Sequence, residues 1–197
     1  MRHHNKRLKA HQVLVIAGVS GSGKSQLARN MSRPAHDEFT LSVLEQLDCD
    51  PNQHFKRVRG ERMQRLMDLD KLGSRKTRRP KNQLLLFINL TSIHHKRNLK
   101  FLHQISKHTK RLDIITLYTS PQDWRQSILE RLHTDNEPSM KAALIALSAK
   151  FSSQISTFLY HREYKKWFRE LQSLDCNNAT IINTLNKTIY PSTNPPF

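Results

Sequence analysis

Residues 13–25, Val-Leu-Val-Ile-Ala-Gly-Val-Ser-Gly-Ser-Gly-Lys-Ser, constrain this chain more than any other stretch. Val13 to Ala17 is a short, largely β-branched apolar run and reads as a buried strand. It ends on Gly18 and passes at once into the pattern G-x-x-x-x-G-K-S, from Gly18 to Ser25. Gly18, Gly21 and Gly23 tolerate positive φ and let backbone N–H groups close around an anion. A helix is expected to begin at about Lys24, with the positive end of its dipole facing whatever the loop holds. Strand, glycine spacing, Lys-Ser pair and following helix all agree. A turn that cradles phosphate therefore outweighs one that binds nothing.

The rest of the chain must supply a core around that strand. Its 197 residues suit one α/β domain, alone or with an insert. The formal charge is +17, which predicts polyanionic partners or an anionic surface and is silent on fold. The surplus is not spread evenly. Residues 1–12 carry four Lys/Arg and no acid, residues 54–81 carry eleven against three acids, and residues 94–111 carry six against none. Outside these segments the chain is close to neutral. Cys49 and Cys176 form no C-x-x-C pattern and fit a reducing, cytoplasmic setting without a disulfide. No apolar run approaches the length of a membrane span, and a signal peptide would consume the glycine loop.

In order, residues 1–12 read as a basic arm, 13–190 as a single domain with a basic insert at about 53–82, and 191–197 as a tail. The first helix runs to Met31 and ends before Pro34. Asp37 is placed to cap a second helix over Phe39–Leu47, closed by the turn Asp48-Cys-Asp-Pro-Asn52. In the insert, Val58, Met63, Leu66, Met67 and Leu69 suit one amphipathic helix, followed by a basic loop. Arg57, Arg59 and Arg62 are its candidate anion clamps, since guanidinium holds phosphate bidentately. Leu84–Leu90 is the most apolar run, as a central parallel strand requires. A basic helix is expected over Ile93–Leu112 and a third strand over Asp113–Tyr118. The four histidines at 94, 95, 103 and 108 lack a carboxylate or thiolate among them, and a solvated basic face explains them better than a metal. Ser120 and Pro121 start a further helix carrying Arg125 and Arg131. A long helix, broken near residues 151–153, reaches Phe168, and Ala179–Leu185 is the last strand. Trp167 and Phe168 read as packing, and no internal repeat appears.

Gly18–Ser25 followed by this order of elements resembles the P-loop NTPases, and the small kinase group more than the GTPases or motor ATPases. The resemblance implies an α/β three-layer fold with a mostly parallel sheet between helices. It implies ATP or another NTP and Mg²⁺ as ligands. Gly18, Ser20, Gly21, Ser22, Gly23, Lys24, Ser25 and Gln26 would contact the nucleotide, with Lys24 at the β- and γ-phosphates and the Ser25 hydroxyl on Mg²⁺. Where this family ends its second apolar strand on Asp, this chain has Asn89. An amide can bond a metal-bound water but brings no negative charge. Lys24, Arg125 and Arg131 are the candidates for stabilising charge on a moving phosphoryl group. Asp37 is the candidate general base, with helix capping as its competing use.

Three functions follow as expectations. One is a kinase-like phosphotransferase acting on an anionic acceptor. The second is a nucleic-acid-binding protein with nucleotide as a switching ligand. The third, motivated by Asn89, is a catalytically weak nucleotide-binding scaffold.

Overall fold

β1, Gln12–Gly18, is buried at every position and has a hydrogen-bonded neighbour on both edges. A strand enclosed this way must be apolar on both faces, which Val13 to Ala17 satisfies. In the computed structural model, residues 12–19, 21–33, 35–52, 55–57, 83–90, 95–126, 153–190 and 195–196 are described.

Around β1 the chain forms an α/β structure with one six-stranded sheet in the order β2-β3-β1-β4-β5-β6. The strands are β2 Lys56–Arg57, β3 Gln83–Asn89, β4 Arg111–Leu117, β5 Asn178–Asn183 and β6 Thr188–Tyr190. All pairs are parallel except β5 with β6. The helices are α1 Lys24–Met31, α2 Glu38–Gln46, α3 His95–His108 and α4 Ser153–Leu171. A further helical stretch opens at Pro121 and is described through Gln126.

Alternation along β1 splits the core in two. Leu14 and Ile16 pack with Leu27, Ala28 and Met31 of α1 and with Val43, Leu44 and Leu47 at α2. Val13, Val15 and Ala17 pack with Phe101, Leu102 and Ile105 of α3 and with Tyr160, Tyr164, Trp167 and Leu171 of α4. Topology explains the division. From β1 the chain crosses leftward to β2 through α1 and α2, whereas from β3 and β4 it crosses rightward through α3 and α4. Right-handed crossovers in opposite directions place their helices on opposite faces.

α2 begins and ends as its sequence requires. Asp37 accepts a bond of 2.8 Å from the Thr40 amide. At the other end Asp48 takes the left-handed conformation, φ 50, while its amide bonds to Glu45 O and that of Cys49 to Leu44 O. That pair of bonds is a Schellman ending.

The edge of the sheet at the strand N-termini is held by a buried polar cluster. Asp113 is fully buried and accepts from Gln12 Nε2 at 2.6 Å, Arg111 Nε at 2.8 Å and Asn178 Nδ2 at 3.1 Å. Arg111 and Asn178 also donate to Leu47 O at the end of α2. One carboxylate thereby fixes three strands and a helix end, and its lone pairs are matched by donors as a buried charge requires.

Several expectations need correction. Phe55 is buried in the α1/α2 half of the core, and Lys56–Arg57 form β2, so the insert contributes to the sheet where a non-core segment was expected. The amphipathic helix expected from Val58 onward lies outside the described residues, as do the arm before Gln12 and most of the tail. Leu112 belongs to β4, because α3 stops at His108. The chain does not end its sheet with β5: a turn over residues 184–187 returns it as β6.

Asp113→Ala is expected to cost about 2–4 kcal/mol, because it strands the amides of Gln12 and Asn178 and the Arg111 cation together. Asp48→Asn, which removes the charge of the 94% exposed partner of the same arginine and keeps a residue that tolerates φ 50, is expected to cost little. Urea unfolding of the two variants against the parent checks the contrast.

Candidate functional site

Parallel α/β sheets place ligands beyond the strand C-termini, where neighbouring chain exits diverge to opposite faces. Here that point is the end of β1. Gly18 lies level with Asn89 of β3 and Leu117 of β4, and Leu90 N bonds Gly18 O at 3.2 Å. The Gly18–Ser25 loop therefore emerges at the switch point.

The loop folds on its own atoms. Gly21 and Gly23 take φ of 89 and 85, the left-handed region that a side chain resists. Gly23 is the N-cap of α1 and has no side-chain cap bond. The Lys24 ammonium donates to Gly18 O at 2.7 Å and Val19 O at 2.5 Å. It is thus folded back from the first helical residue and held by two carbonyls at the start of the loop. Ser25 and Gln26 are exposed in the first turn of α1, and Gln26 N makes an early helical bond to Gly23 O at 3.0 Å. The Ser22 hydroxyl is buried and donates to Val19 O at 2.9 Å, so it closes the loop from inside. Ser20 lies outside the described residues.

Two distant segments brace this loop, and the sequence analysis singled out neither. Thr184, just past β5, donates from Oγ1 to Ser22 O at 3.3 Å. A Cβ at Gly23 would meet that same Oγ1 at 2.4 Å, and one at Gly18 would meet Ser22 Oγ at 2.4 Å. Both glycines are therefore needed for close approach, and Gly23 for its φ as well. The second brace is α4. Tyr164 donates to Leu117 O at 2.5 Å, and its oxygen receives Val19 N at 3.5 Å. Tyr160 donates to Thr119 O at 2.7 Å. Burial raises both phenol pKa values far above the usual range, which keeps the protons these bonds need. Tyr118 packs edge-on to Tyr164 with ring centroids 5.2 Å apart. Tyrosines at helical spacing on α4 give a packing signal, and nothing local in the sequence says which backbone their hydroxyls reach.

The other candidates are dispersed. Asp37 is the N-cap of α2, and the Thr40 bond holds its carboxyl below the usual range, with lesser help from Lys187 and His36. A carboxylate so employed is a weaker base. Arg125 is half-buried and donates through Nη2 to Thr157 Oγ1 of α4. Arg57 is placed in β2, two strands from β1. Arg59, Arg62 and Arg131 lie outside the described residues. Asn89 ends β3 beside Gly18.

Among the described residues, no group of three or more His, Cys, Asp or Glu could hold a metal ion. Cys49 and Cys176 are free, and burial raises both thiol pKa values. No helix among the described residues is long and apolar enough to cross a membrane. Compared with known proteins, the chain matches no family model and no curated sequence.

Gly23→Ala is expected to destabilise the fold by about 1–2 kcal/mol from φ alone, with the Thr184 clash added. Adding Thr184→Ala should recover the clash and leave the φ cost, as read by denaturant midpoints. Asp37→Ala is expected to cost about 1 kcal/mol at neutral pH. Because the folded pKa is lowered, the wild-type advantage is full above 3.8 and disappears as pH falls through the folded value. Thermal unfolding of both proteins along an acid series reads this directly.

Proposed function

We propose that this chain is a nucleotide-binding protein of the P-loop NTPase type, acting as a kinase-like phosphotransferase on an anionic acceptor. The observation that carries the reading is the placement of Lys24. Its ammonium is held over a left-handed glycine loop, next to an uncapped helix N-terminus, at the switch point of a parallel sheet. Loop amides, a helix N-terminus and an ammonium belong to one short stretch of chain, and polyphosphate is the anion that would use all three.

ATP or another NTP is the ligand in this reading, with Mg²⁺. The Ser25 hydroxyl suits one coordination position, and phosphate oxygens and water would fill the others. When bound, the metal would neutralise charge between the β- and γ-phosphates. This chain's own residues bind and orient. The loop amides fix the phosphates, Lys24 balances their charge, and the Thr184 brace keeps Gly23 in its left-handed turn.

A second reading, a nucleotide-holding scaffold with slow turnover, is favoured by two specific observations. The strand end beside Gly18 carries Asn89 in place of a carboxylate, and Asp37 is engaged as a helix cap. These weaken metal charge balance and acceptor activation without touching the phosphate cradle.

Titration with ATP and GTP, with and without Mg²⁺, is expected to show binding that Lys24→Ala reduces at least about tenfold, the loss of one charge-assisted contact. Equal affinities for parent and variant would remove the reading. If the scaffold reading is right, Asn89→Asp raises a slow turnover by orders of magnitude; a parent already at about 1 s⁻¹ or faster, the ordinary kinase range, overturns it.

A further inference from the structure

One of the three basic segments in the sequence is described over most of its length, and it forms α3. This helix is two-faced. Phe101, Leu102 and Ile105 are buried in the core against β1 and β4. Lys100, His103 and Lys107 are exposed, and their spacing of three and four places them on one stripe. Lys110 follows, exposed, just past the helix. Lys96 sits one turn before Lys100, and the helix sequence HKRNLKFLHQISKH contains no acid.

The pattern works against the helix as an isolated element. Like charges one turn apart repel. Basic residues in the first turn oppose the helix dipole, and no acid offsets them there. An ordinary solvated face mixes both signs. Among the described residues, Lys100, Lys107 and Lys110 form no salt bridge, whereas neighbouring Arg111 is drawn inward by Asp113 and Asp48. A local rule is broken with no compensation among the described residues, which points outward to a partner.

We propose that the outer face of α3 binds the phosphate backbone of a polynucleotide. The register sets the direction of the track. β3 ends beside Gly18 and β4 begins level with Gln12, so α3 descends the whole height of the sheet, about 21 Å for its 14 residues. The N-terminal end of α3 therefore lies toward the edge that carries the glycine loop. Lys100 and Lys107 are separated along the axis by about 10 Å, the rise of about three nucleotides of one strand. A lipid surface would need the helix's apolar side free to enter it, and that side is in the core. A protein partner would need an aromatic or aliphatic anchor in the patch, and the stripe offers lysine and histidine. Sequence-independent phosphate contact needs neither.

The test is binding of labelled single-stranded and duplex oligonucleotides over a salt series, by anisotropy. The parent is expected to bind with an affinity that falls steeply with salt. Lys100→Gln/Lys107→Gln should weaken binding at least about tenfold at low salt and reduce the log–log salt slope by about two. Lys165→Gln/Arg169→Gln, the same charge change at exposed positions of α4, should leave both nearly unchanged. Circular dichroism and melting temperature establish that each variant is folded. Lys24→Ala should bind oligonucleotide like the parent, which separates this proposal from nucleotide binding in the loop. Identical binding by the α3 variant and the parent overturns the proposal. So does an equal loss in the α4 control, which would reduce the effect to net charge. Binding to anionic phospholipid vesicles without binding to oligonucleotide overturns it as well.

Discussion

Enclosure of β1 is the constraint on which the rest depends. The strand is paired on both edges and covered on both faces, so the chain can leave it only at its end. It must then turn sharply enough to begin a helix on one face while its neighbours leave toward the other. Left-handed Gly21 and Gly23 make that turn. Structural necessity and the proposed anion site thus fall in one loop. That coincidence is why the proposed function rests on the lysine bonded to the start of the loop.

What could be read in advance follows from how local each determinant is. β1, the loop, α1 and the Asp37 cap of α2 are specified by neighbours within about one helical turn, and they appear where the residues put them. β2 and β6 were illegible because two or three residues have no period; they exist through pairing with β3 and β5. Leu112 continues the apolar spacing of α3, so spacing alone extends the helix too far. The chain instead breaks at Thr109–Lys110 to enter β4. Phe55 sits among basic residues, and only the sheet edge beside it makes it core. In the site, the contiguous motif was legible, whereas Thr184 and Tyr164 reach the loop across 162 and 145 positions of chain.

The positive charge divides in the same way between inward and outward use. Arg111 belongs to a buried cluster with Asp113 and serves the fold. Lys100 and Lys107, on the next element upstream, are turned to solvent. A count along the sequence gives these residues equal weight, and burial separates them. The loop and the outward stripe lie on different faces of the logic as well: one is built from backbone geometry and one lysine, the other from side-chain charge alone.

Tyr164 has a consequence of a mechanical kind. Its single phenolic oxygen touches the first residue after β1 and the last of β4, while its ring is fully buried in α4. A hydrogen bond tolerates only a few tenths of an ångström before it weakens. Sliding α4 along the sheet by a fraction of a turn would therefore break the bond to Leu117 O and carry the hydroxyl away from residue 19, whose amide it meets only at 3.5 Å. A chain cut short ahead of residue 164 would lose the pin that seats its glycine turn, although every letter of that turn would still be present.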